Sequence, residues 1–378
     1  MRYKNTFLAL LLSIVSLAAY AERDNETKVT KTIDEKFLLP KNGIVEVTNK
    51  YGQVVILNSE NDSVTLRIEI IAYGKDKSTA DKIMDRVDFD FGQTGQYLTL
   101  ETVLDRKSGV FKEAWNNIGD YSKTLLSKNK LVINYEIRIP RSASINLTNK
   151  FGDVYIQERD HKVEIDVSHG SLRANNFNAN SKISVSYGDA RIKYLKSGEL
   201  YFRACDATIQ ALGTVEMQSS SSDISIKEAD ELQIESRSDK RIDIDKIGHI
   251  RGKLTFSKMK VENLNKLADL DLNYSDFYVA QVPFTFSMIR IDGKSSDIDL
   301  EFDPNTYLDL DLLGTEEDIG LPMTGMNREV IDEKKGIVQY KGTLGNKTNY
   351  KGKVNIKAQG GSVRIGIEQQ PQSVKSSG

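Results

Sequence analysis

Six aspartates recur at one position of a repeated phrase, and they are the residues of this chain best suited to bind a metal ion. They are Asp153, Asp189, Asp206, Asp223, Asp276 and Asp297. If the repeats stack, neighbouring carboxylates lie one strand spacing apart, and Ca²⁺ takes oxygen ligands of this kind. Asp189, Asp206 and Asp223 are therefore candidate calcium ligands. The interpretation we favour is that each Asp caps its own turn through backbone hydrogen bonds, with no cofactor.

Other residue types that carry chemistry form no recognisable catalytic motif. The histidines His161, His169 and His249 lie in no zinc-spaced pair, and the chain has no nucleophile elbow or phosphate-binding glycine loop. Cys205 is the only cysteine, so no intrachain disulfide can form. Its place at a turn indicates a small structural residue rather than a reactive thiol. We therefore predict no catalytic residues and no enzymatic activity.

One enzymatic alternative remains open. Some parallel β-helices cleave acidic polysaccharides with Ca²⁺ and a basic residue, and Arg173, Arg191 and Lys193 lie near Asp189 in the repeat. Charged residues on the solvated face of a strand would give the same pattern. Binding of anionic glycans with calcium-dependent product release would separate an enzyme from a binding protein.

The aspartates belong to a phrase that returns every 17 to 21 residues between positions 152 and 300. Each copy has a small residue, usually an Asp, and two apolar residues two apart, as in Gly152-Asp153-Val154-Tyr155-Ile156. Lys240 is the one large residue at the small position. Alternation with a period of two indicates half-buried strands, and a fixed longer period indicates stacked repeats.

Two all-β architectures fit this pattern. The one we favour is a right-handed parallel β-helix, a β-solenoid with coils of ~18 residues, because like residues then stack on like at ~4.8 Å. In the alternative, an antiparallel β-meander, each repeat is a hairpin. Aromatic rings that precede the small residue could stack along the long axis. These are Phe151, His169, Tyr187, Phe256 and Tyr274.

The chain divides into five segments. They are a signal peptide at 1–21, an N-terminal strand-rich unit at 22–145 with a helix at 78–87, the regular solenoid at 146–303, C-terminal strands and a cap at 304–368, and a disordered tail at 369–378. Ser78 is a suitable helix N-cap. Trp115 lies in a polar stretch that we expect to form an exposed excursion.

The N-terminus predicts export. A basic start, an apolar run at 7–17 and the small residues of Ala19-Tyr20-Ala21 are typical of a secretory signal peptide. The run is shorter than the ~20 residues that a transmembrane helix needs, and no later segment approaches that length. The net charge of −2 gives no indication of a nucleic-acid partner.

A longer motif occurs twice, as Asn49-Lys50-Tyr51-Gly52-Gln53-Val54 and as Asn149-Lys150-Phe151-Gly152-Asp153-Val154. With the signal peptide and the strand–helix insert, it resembles the "putative adhesin" β-strand-repeat family of exported bacterial proteins. The resemblance implies a right-handed β-helix at the Gram-negative envelope, in the periplasm or at the cell surface, and it supplies no catalytic residues.

Three functions are compatible with these observations. The first is a non-catalytic, adhesin-like scaffold that binds an envelope protein or a glycan. The second is the polysaccharide-acting enzyme, and the third is an accessory protein of envelope-stress signalling that docks a partner. We favour the first.

Overall fold

A computed structural model of the protein describes residues 26–105, 130–322, 326–345, 347 and 351–367. The predicted signal peptide, Trp115 and the tail at 369–378 lie outside these residues. The described chain is all-β, as predicted, with one short α-helix and two 3-10 turns. The described residues form two compact units, one of those up to 140 together with 149–152 and one of 141–148 together with those from 153 onward. We call them the N-terminal unit and the repeat unit.

The N-terminal unit is built from seven strands around an aliphatic core. The strands are β1 (Thr27–Leu38), β2 (Ile44–Lys50), β3 (Val54–Ser59), β4 (Ser63–Gly74), β5 (Val87–Thr94), β6 (Tyr97–Leu104) and β7 (Leu131–Pro140). Strand β4 lies between β1 and β7 and is antiparallel to both. Strand β3 is parallel to β7, β2 is parallel to β6, and β5 is antiparallel to β6. Alternate residues such as Ile68 and Ile133 are fully buried.

The helix α1 spans Lys77–Met84 and is shorter than the predicted 78–87. Its N-cap is Asp76, whose side chain accepts a hydrogen bond from the backbone N–H of Thr79 at 2.7 Å. Ser78, the predicted cap, lies inside the first turn because Asp76 supplies an acceptor two residues earlier. Within the described part of the chain, no helix has the length and apolar character needed to cross a membrane.

The repeat unit contains the remaining strands. They are β8 (Ser144–Lys150, which ends in the N-terminal unit), β9 (Val154–Ile156), β10 (Val163–Ser168), β11 (Leu172–Ser220), β12 (Asp223–Arg237), β13 (Arg241–Thr255), β14 (Lys258–Asn273), β15 (Asp276–Val282), β16 (Met288–Lys294), β17 (Asp297–Phe302), β18 (Tyr307–Thr315), β19 (Ile319–Gly320), β20 (Met326–Asp332), β21 (Ile337–Gly345), β22 (Gly352–Gln359) and β23 (Val363–Ile367).

Consecutive repeats pair in parallel, and equivalent residues are partners. One continuous register runs through Thr208, Ser225, Asp243, Lys260, Tyr278 and Asp299. The next residue of each repeat points inward, and these aliphatic side chains are at most 1% exposed: Ile209, Ile226, Ile244, Val261, Val279 and Leu300. The repeating apolar positions therefore form the core, as the alternation predicts.

The last strands occupy an inner position. Strand β22 pairs in parallel with both β16 and β18, and β23 pairs in parallel with both β17 and β19. The phrase around Val363 is in register with the repeat, because Val363 is the partner of Ile298. The antiparallel strands β21 and β20 follow on the outer side of β18. The C-terminal segment thus inserts into the stack, with β18, β21 and β20 beyond it.

Candidate functional site

A single residue with positive φ marks the corner in each repeat. Its φ lies between 46° and 66°, and these corner residues are Tyr51, Phe151, His169, Tyr187, Ala204, Ser221, Ser238, Phe256, Tyr274 and Ser295. The left-handed conformation costs a residue with a side chain about 1–2 kcal/mol. None of these ten residues is glycine, and six of them carry a ring. At Tyr187, Phe256 and Tyr274 the backbone strain is combined with an exposed ring.

From Cys205 to Ser275, the residue after each corner forms a hydrogen bond with the equivalent residue of the next repeat. In the repeat unit this position is occupied in turn by Cys205, Ser222, Asp239, Ser257, Ser275 and Ser296. Each backbone N–H in this series donates to the side chain of the next member, at 2.8 to 3.2 Å. The serine hydroxyls in turn donate to the carbonyl two residues earlier, as Ser257 does to Thr255 at 3.0 Å. We call this series the corner ladder.

Asp239, not Lys240, occupies the ladder position in its repeat. Asp239 is 2% exposed, and its Oδ1 accepts the backbone N–H of Ser222 at 2.8 Å. Its Oδ2 lies 2.5 Å from the hydroxyls of Ser219 and Ser236. Lys240 is exposed because this repeat has one extra residue between its corner and Arg241. That extra residue is the signal in the sequence that identifies Asp239.

The longer motif at 49–54 and 149–154 has a related explanation in the N-terminal unit. The Asn149 amide donates to the carbonyls of Gly52 and Gly152 at 3.0 and 2.9 Å. The Asn49 amide donates to the carbonyl of Ile133 at 3.1 Å and to Asn149 Oδ1 at 3.2 Å. Both asparagines are buried, and their amides satisfy these backbone carbonyls. This role explains why Asn occurs in both copies of the motif.

Two of the repeated aspartates accept hydrogen bonds from a neighbouring repeat. Asp153 Oδ1 accepts the backbone N–H of Ser171 at 2.8 Å, and Asp297 Oδ1 accepts that of Ser362 at 2.8 Å. The prediction that each Asp caps its own turn is wrong for Asp297, whose side-chain hydrogen bonds among the described residues go to Ser362.

The basic residues that interrupt the column of aspartates neutralise their neighbours. Arg241 donates to Asp223 Oδ1 at 2.9 and 3.1 Å, and Lys258 Nζ lies 3.1 Å from Asp276. Asp206 and Asp223 are direct partners in register. Within the described residues, no three or more His, Cys, Asp or Glu side chains gather to hold a metal ion. Calcium binding by Asp189, Asp206 and Asp223 stays a prediction.

The basic residues considered for an enzymatic site lie on an exposed face. Arg173, Arg191 and Lys193 are all exposed, and none of them forms an ion pair with Asp189 among the residues described. The Asp189 carboxylate instead lies 3.4 Å from the hydroxyl of Ser171. The structure therefore does not bring these four side chains into contact.

Cys205 is 1% exposed. Burial raises the pKa of its thiol to about 12, and the nearby carboxylates of Asp189 and Asp206 add to this shift. The thiol therefore stays protonated at neutral pH, and a protonated thiol is a poor nucleophile. This agrees with the prediction of a structural role at the turn.

The corner rings stack in pairs. In the repeat unit, the His169 and Tyr187 centroids are 5.0 Å apart at 8°, and those of Phe256 and Tyr274 are 5.2 Å apart at 12°. Tyr187, Phe256 and Tyr274 remain 52%, 59% and 58% exposed. In the N-terminal unit, Tyr51 and Phe151 stack at 5.5 Å. Tyr187, Phe256 and Tyr274 thus present aromatic surface to solvent from strained backbone positions, whereas Tyr51 is buried.

Lys50 lies beside the ring pair of the N-terminal unit. Its Nζ is 4.9 Å from the centre of the Tyr51 ring and 5.7 Å from that of Phe151. Burial lowers the pKa of Lys50, and the positive charge of Lys150 lowers it further. Lys50 therefore makes a cation–π contact with the stacked rings of Tyr51 and Phe151.

No protein-family model matches this chain, and no curated protein matches it in sequence. The chain is similar to solved structures described as a "putative adhesin" from Parabacteroides merdae (9% identity, 71% of this chain and 95% of that one, TM-score 0.36) and from Parabacteroides distasonis (10%, 71% and 97%, TM-score 0.35). A third, from Bacteroides fragilis, has the same description (12%, 89% and 97%, TM-score 0.29).

These descriptions agree with the family resemblance drawn from the sequence. The identities are at most 12%, and the TM-scores of all three are below 0.5. The function proposed below therefore rests on the geometry of this chain.

Proposed function

We propose that this protein is a non-catalytic β-solenoid of the bacterial cell envelope, exported by its N-terminal signal peptide, with an adhesin-like binding or scaffold role. Its repeat unit is a right-handed parallel β-helix in which each repeat forms one coil. The parallel register between repeats and the one corner residue per repeat support this architecture. The handedness follows the general preference of parallel crossover connections.

The exposed corner rings are the observation that carries the proposed binding role. A glycine at a corner would avoid a backbone cost of about 1–2 kcal/mol, and a ring recovers only about 0.5–1.5 kcal/mol by stacking on its neighbour. Tyr187, Phe256 and Tyr274 nevertheless stand at such corners with half or more of their surface exposed. Strained residues of this kind are concentrated at functional sites, which favours contact with a partner.

The charged residues of the repeat unit support a non-catalytic role. Many of them pair with the equivalent residue of the next repeat, as Lys246 does with Glu228 at 2.9 Å and Arg290 does with Asp269 at 2.6 Å. Exposed pairs of this kind contribute about 0–1 kcal/mol to stability and leave both charges solvated. They do not converge on a cleft where a substrate could react.

The test compares the exported chain with a triple variant, Tyr187→Ser, Phe256→Ser and Tyr274→Ser, in binding to a washed Gram-negative envelope fraction. We expect the triple variant to bind at least tenfold more weakly. The matched control replaces Tyr155, Tyr201 and Tyr278 by Ser, because these half-buried rings stand on strands and not at corners. Urea unfolding checks that both variants are folded. Equal binding by the two variants would contradict the proposal.

A further inference from the structure

The corner series has a gap between its two pairs of exposed rings. Between Tyr187 and Phe256, the three intervening corners carry the small residues Ala204, Ser221 and Ser238, all exposed. The backbone N–H of Ser221 donates to the backbone carbonyl of Arg237 at 3.1 Å, and that of Ser238 donates to the backbone carbonyl of Thr255 at 2.8 Å. These corners therefore lie side by side. We call the surface over these three residues the notch.

The notch has an aromatic wall at each end. His169 covers one face of the Tyr187 ring, so the opposite face looks toward Ala204. Tyr274 covers one face of the Phe256 ring in the same way, so its opposite face looks toward Ser238. Four strand spacings of about 4.8 Å place the two rings about 19 Å apart. The two uncovered ring faces therefore oppose each other across a floor of small residues.

Unpaired cations border the notch. Arg203 and Arg237 stand directly before the first and third floor residues, and both are exposed with no ion-pair partner among the described residues. Lys240 and Arg241 follow on the other side of the corner. The carboxylates on that side are those of Asp206, which is exposed, and of Asp223 and Asp243, which are half-buried and both form ion pairs with Arg241.

The carboxylates of Asp223, Asp243 and Asp239 have partners other than Arg203 and Arg237. The Asp223 carboxylate is already bound by Arg241. The buried Asp239 carboxylate is enclosed by three hydrogen-bond donors. Arg241 is thus occupied by two carboxylates, whereas Arg203 and Arg237 have no ion-pair partner among the described residues.

We infer that the notch binds a carboxylated polysaccharide strand. Sugar rings have apolar faces that pack on aromatic side chains, and unpaired guanidinium groups bind carboxylates through paired N–H donors. Arg203 and Arg237 are two strand spacings apart, about 9.6 Å, and so could hold two separate carboxylates of one strand. This inference rests on the proposed binding role and adds the ligand class and the site.

The test measures the dissociation constant for polygalacturonate and for its methyl-esterified form by calorimetry, in EDTA so that Ca²⁺ cannot bridge protein and polymer. We expect the intact chain to bind the acidic polymer at least tenfold more tightly than the ester. The double variant Arg203→Gln and Arg237→Gln should lose this difference. The matched control, Arg173→Gln and Arg251→Gln, removes two other unpaired exposed arginines and should keep it.

A second variant fills the notch without removing anything. Ser221→Tyr places a ring at a corner where other repeats already carry one, so the protein should fold and bind the acidic polymer at least tenfold more weakly. Tyr278→Ser, which removes a half-buried ring that stands on a strand and not at a corner, should bind within threefold of the intact chain. Unchanged binding by Ser221→Tyr, or no binding of the polymer by the intact chain, would overturn the inference.

The two failures are distinguishable. If the corner rings are needed for envelope binding while polygalacturonate does not bind, the proposed function stands and the ligand class is wrong. If the corner-ring variant binds envelope normally, the proposed function itself is wrong.

Discussion

The hydroxyl of Ser275 lies 3.1 Å from the backbone nitrogen of Ser257 in the preceding repeat and accepts its hydrogen bond. Both residues are 1% exposed, so water cannot replace this bond. The same hydroxyl donates to the carbonyl of Asn273 at 3.0 Å. One side chain therefore satisfies two backbone groups in two repeats. This relationship explains why serine recurs at a position where size alone would also allow alanine.

Ser275→Ala tests the corner ladder. The variant removes the acceptor of a buried N–H, and we expect the free energy of unfolding to fall by about 1–3 kcal/mol. Ser225→Ala is the control, because Ser225 is exposed on the outer face and its loss should change stability by less than about 0.5 kcal/mol. Urea unfolding of both variants measures the difference. Equal stabilities would show that the ladder contributes nothing.

Asp239→Ala and Lys240→Ala test which residue of this repeat belongs to the ladder. Loss of the Asp239 carboxylate leaves the buried N–H of Ser222 and the buried hydroxyl of Ser219 without their acceptor, so we expect the free energy of unfolding to fall by more than about 2 kcal/mol. Lys240 is exposed, and its replacement should be nearly neutral. Thermal and urea unfolding give the comparison. A larger effect at Lys240 would restore the assignment made from sequence spacing.

Asp297 connects the last strand to the repeat unit in a pH-dependent way. The backbone N–H of Ser362, followed by its hydroxyl, lowers the pKa of Asp297 below its ordinary value of 3.8. A lowered carboxyl pKa gives stability that is fully present above the ordinary value. That stability is lost as the pH falls through the folded-state pKa.

Hydrogen exchange at the Ser362 amide measures this effect. After correction for intrinsic exchange rates, protection should decrease as the pH falls below 3.8 in the natural sequence. In Asp297→Asn, whose amide oxygen can still accept the bond, protection at this amide should not change over the same range. The same pH dependence in both proteins would exclude Asp297 as its source.

Calcium binding at Asp189, Asp206 and Asp223 is tested by thermal unfolding with Ca²⁺ and with EDTA. Because Arg241 already binds Asp223, we expect the midpoint to be the same in both solutions. Arg241→Gln removes this competitor and is the variant in which a calcium site would be easiest to detect. A calcium-dependent rise of the midpoint in the natural sequence would establish the site, since a ligand bound only by the folded state stabilises it.

The period-two alternation predicted the strands and the core correctly because it depends only on which residues face inward. Val154, Ile226 and Val279 are buried as their spacing indicates. The apolar spacing also predicts the helix α1 correctly, although its N-cap is Asp76 and not Ser78. These features are local, and the sequence contains the information that decides them.

Local sequence patterns do not predict the features that depend on contacts between neighbouring repeats. The bond from Ser171 to Asp153, and the insertion of β22 between β16 and β18, join residues that are distant along the chain. The sequence alone does not reveal the notch, because the small residues of its floor form no recognisable motif. Only the stacking of repeats shows that Ala204, Ser221 and Ser238 lie between two aromatic walls.

In the proposed β-helix, each repeat forms one coil and advances the chain by one strand spacing. A distance between spin labels at Thr208→Cys and Tyr278→Cys, in a Cys205→Ser background, tests it most directly. These residues are four repeats apart in one register. One coil per repeat predicts about 19 Å, whereas a hairpin per repeat would advance two spacings each time and give about 38 Å. The shorter distance supports one coil per repeat, and the longer distance would rule it out.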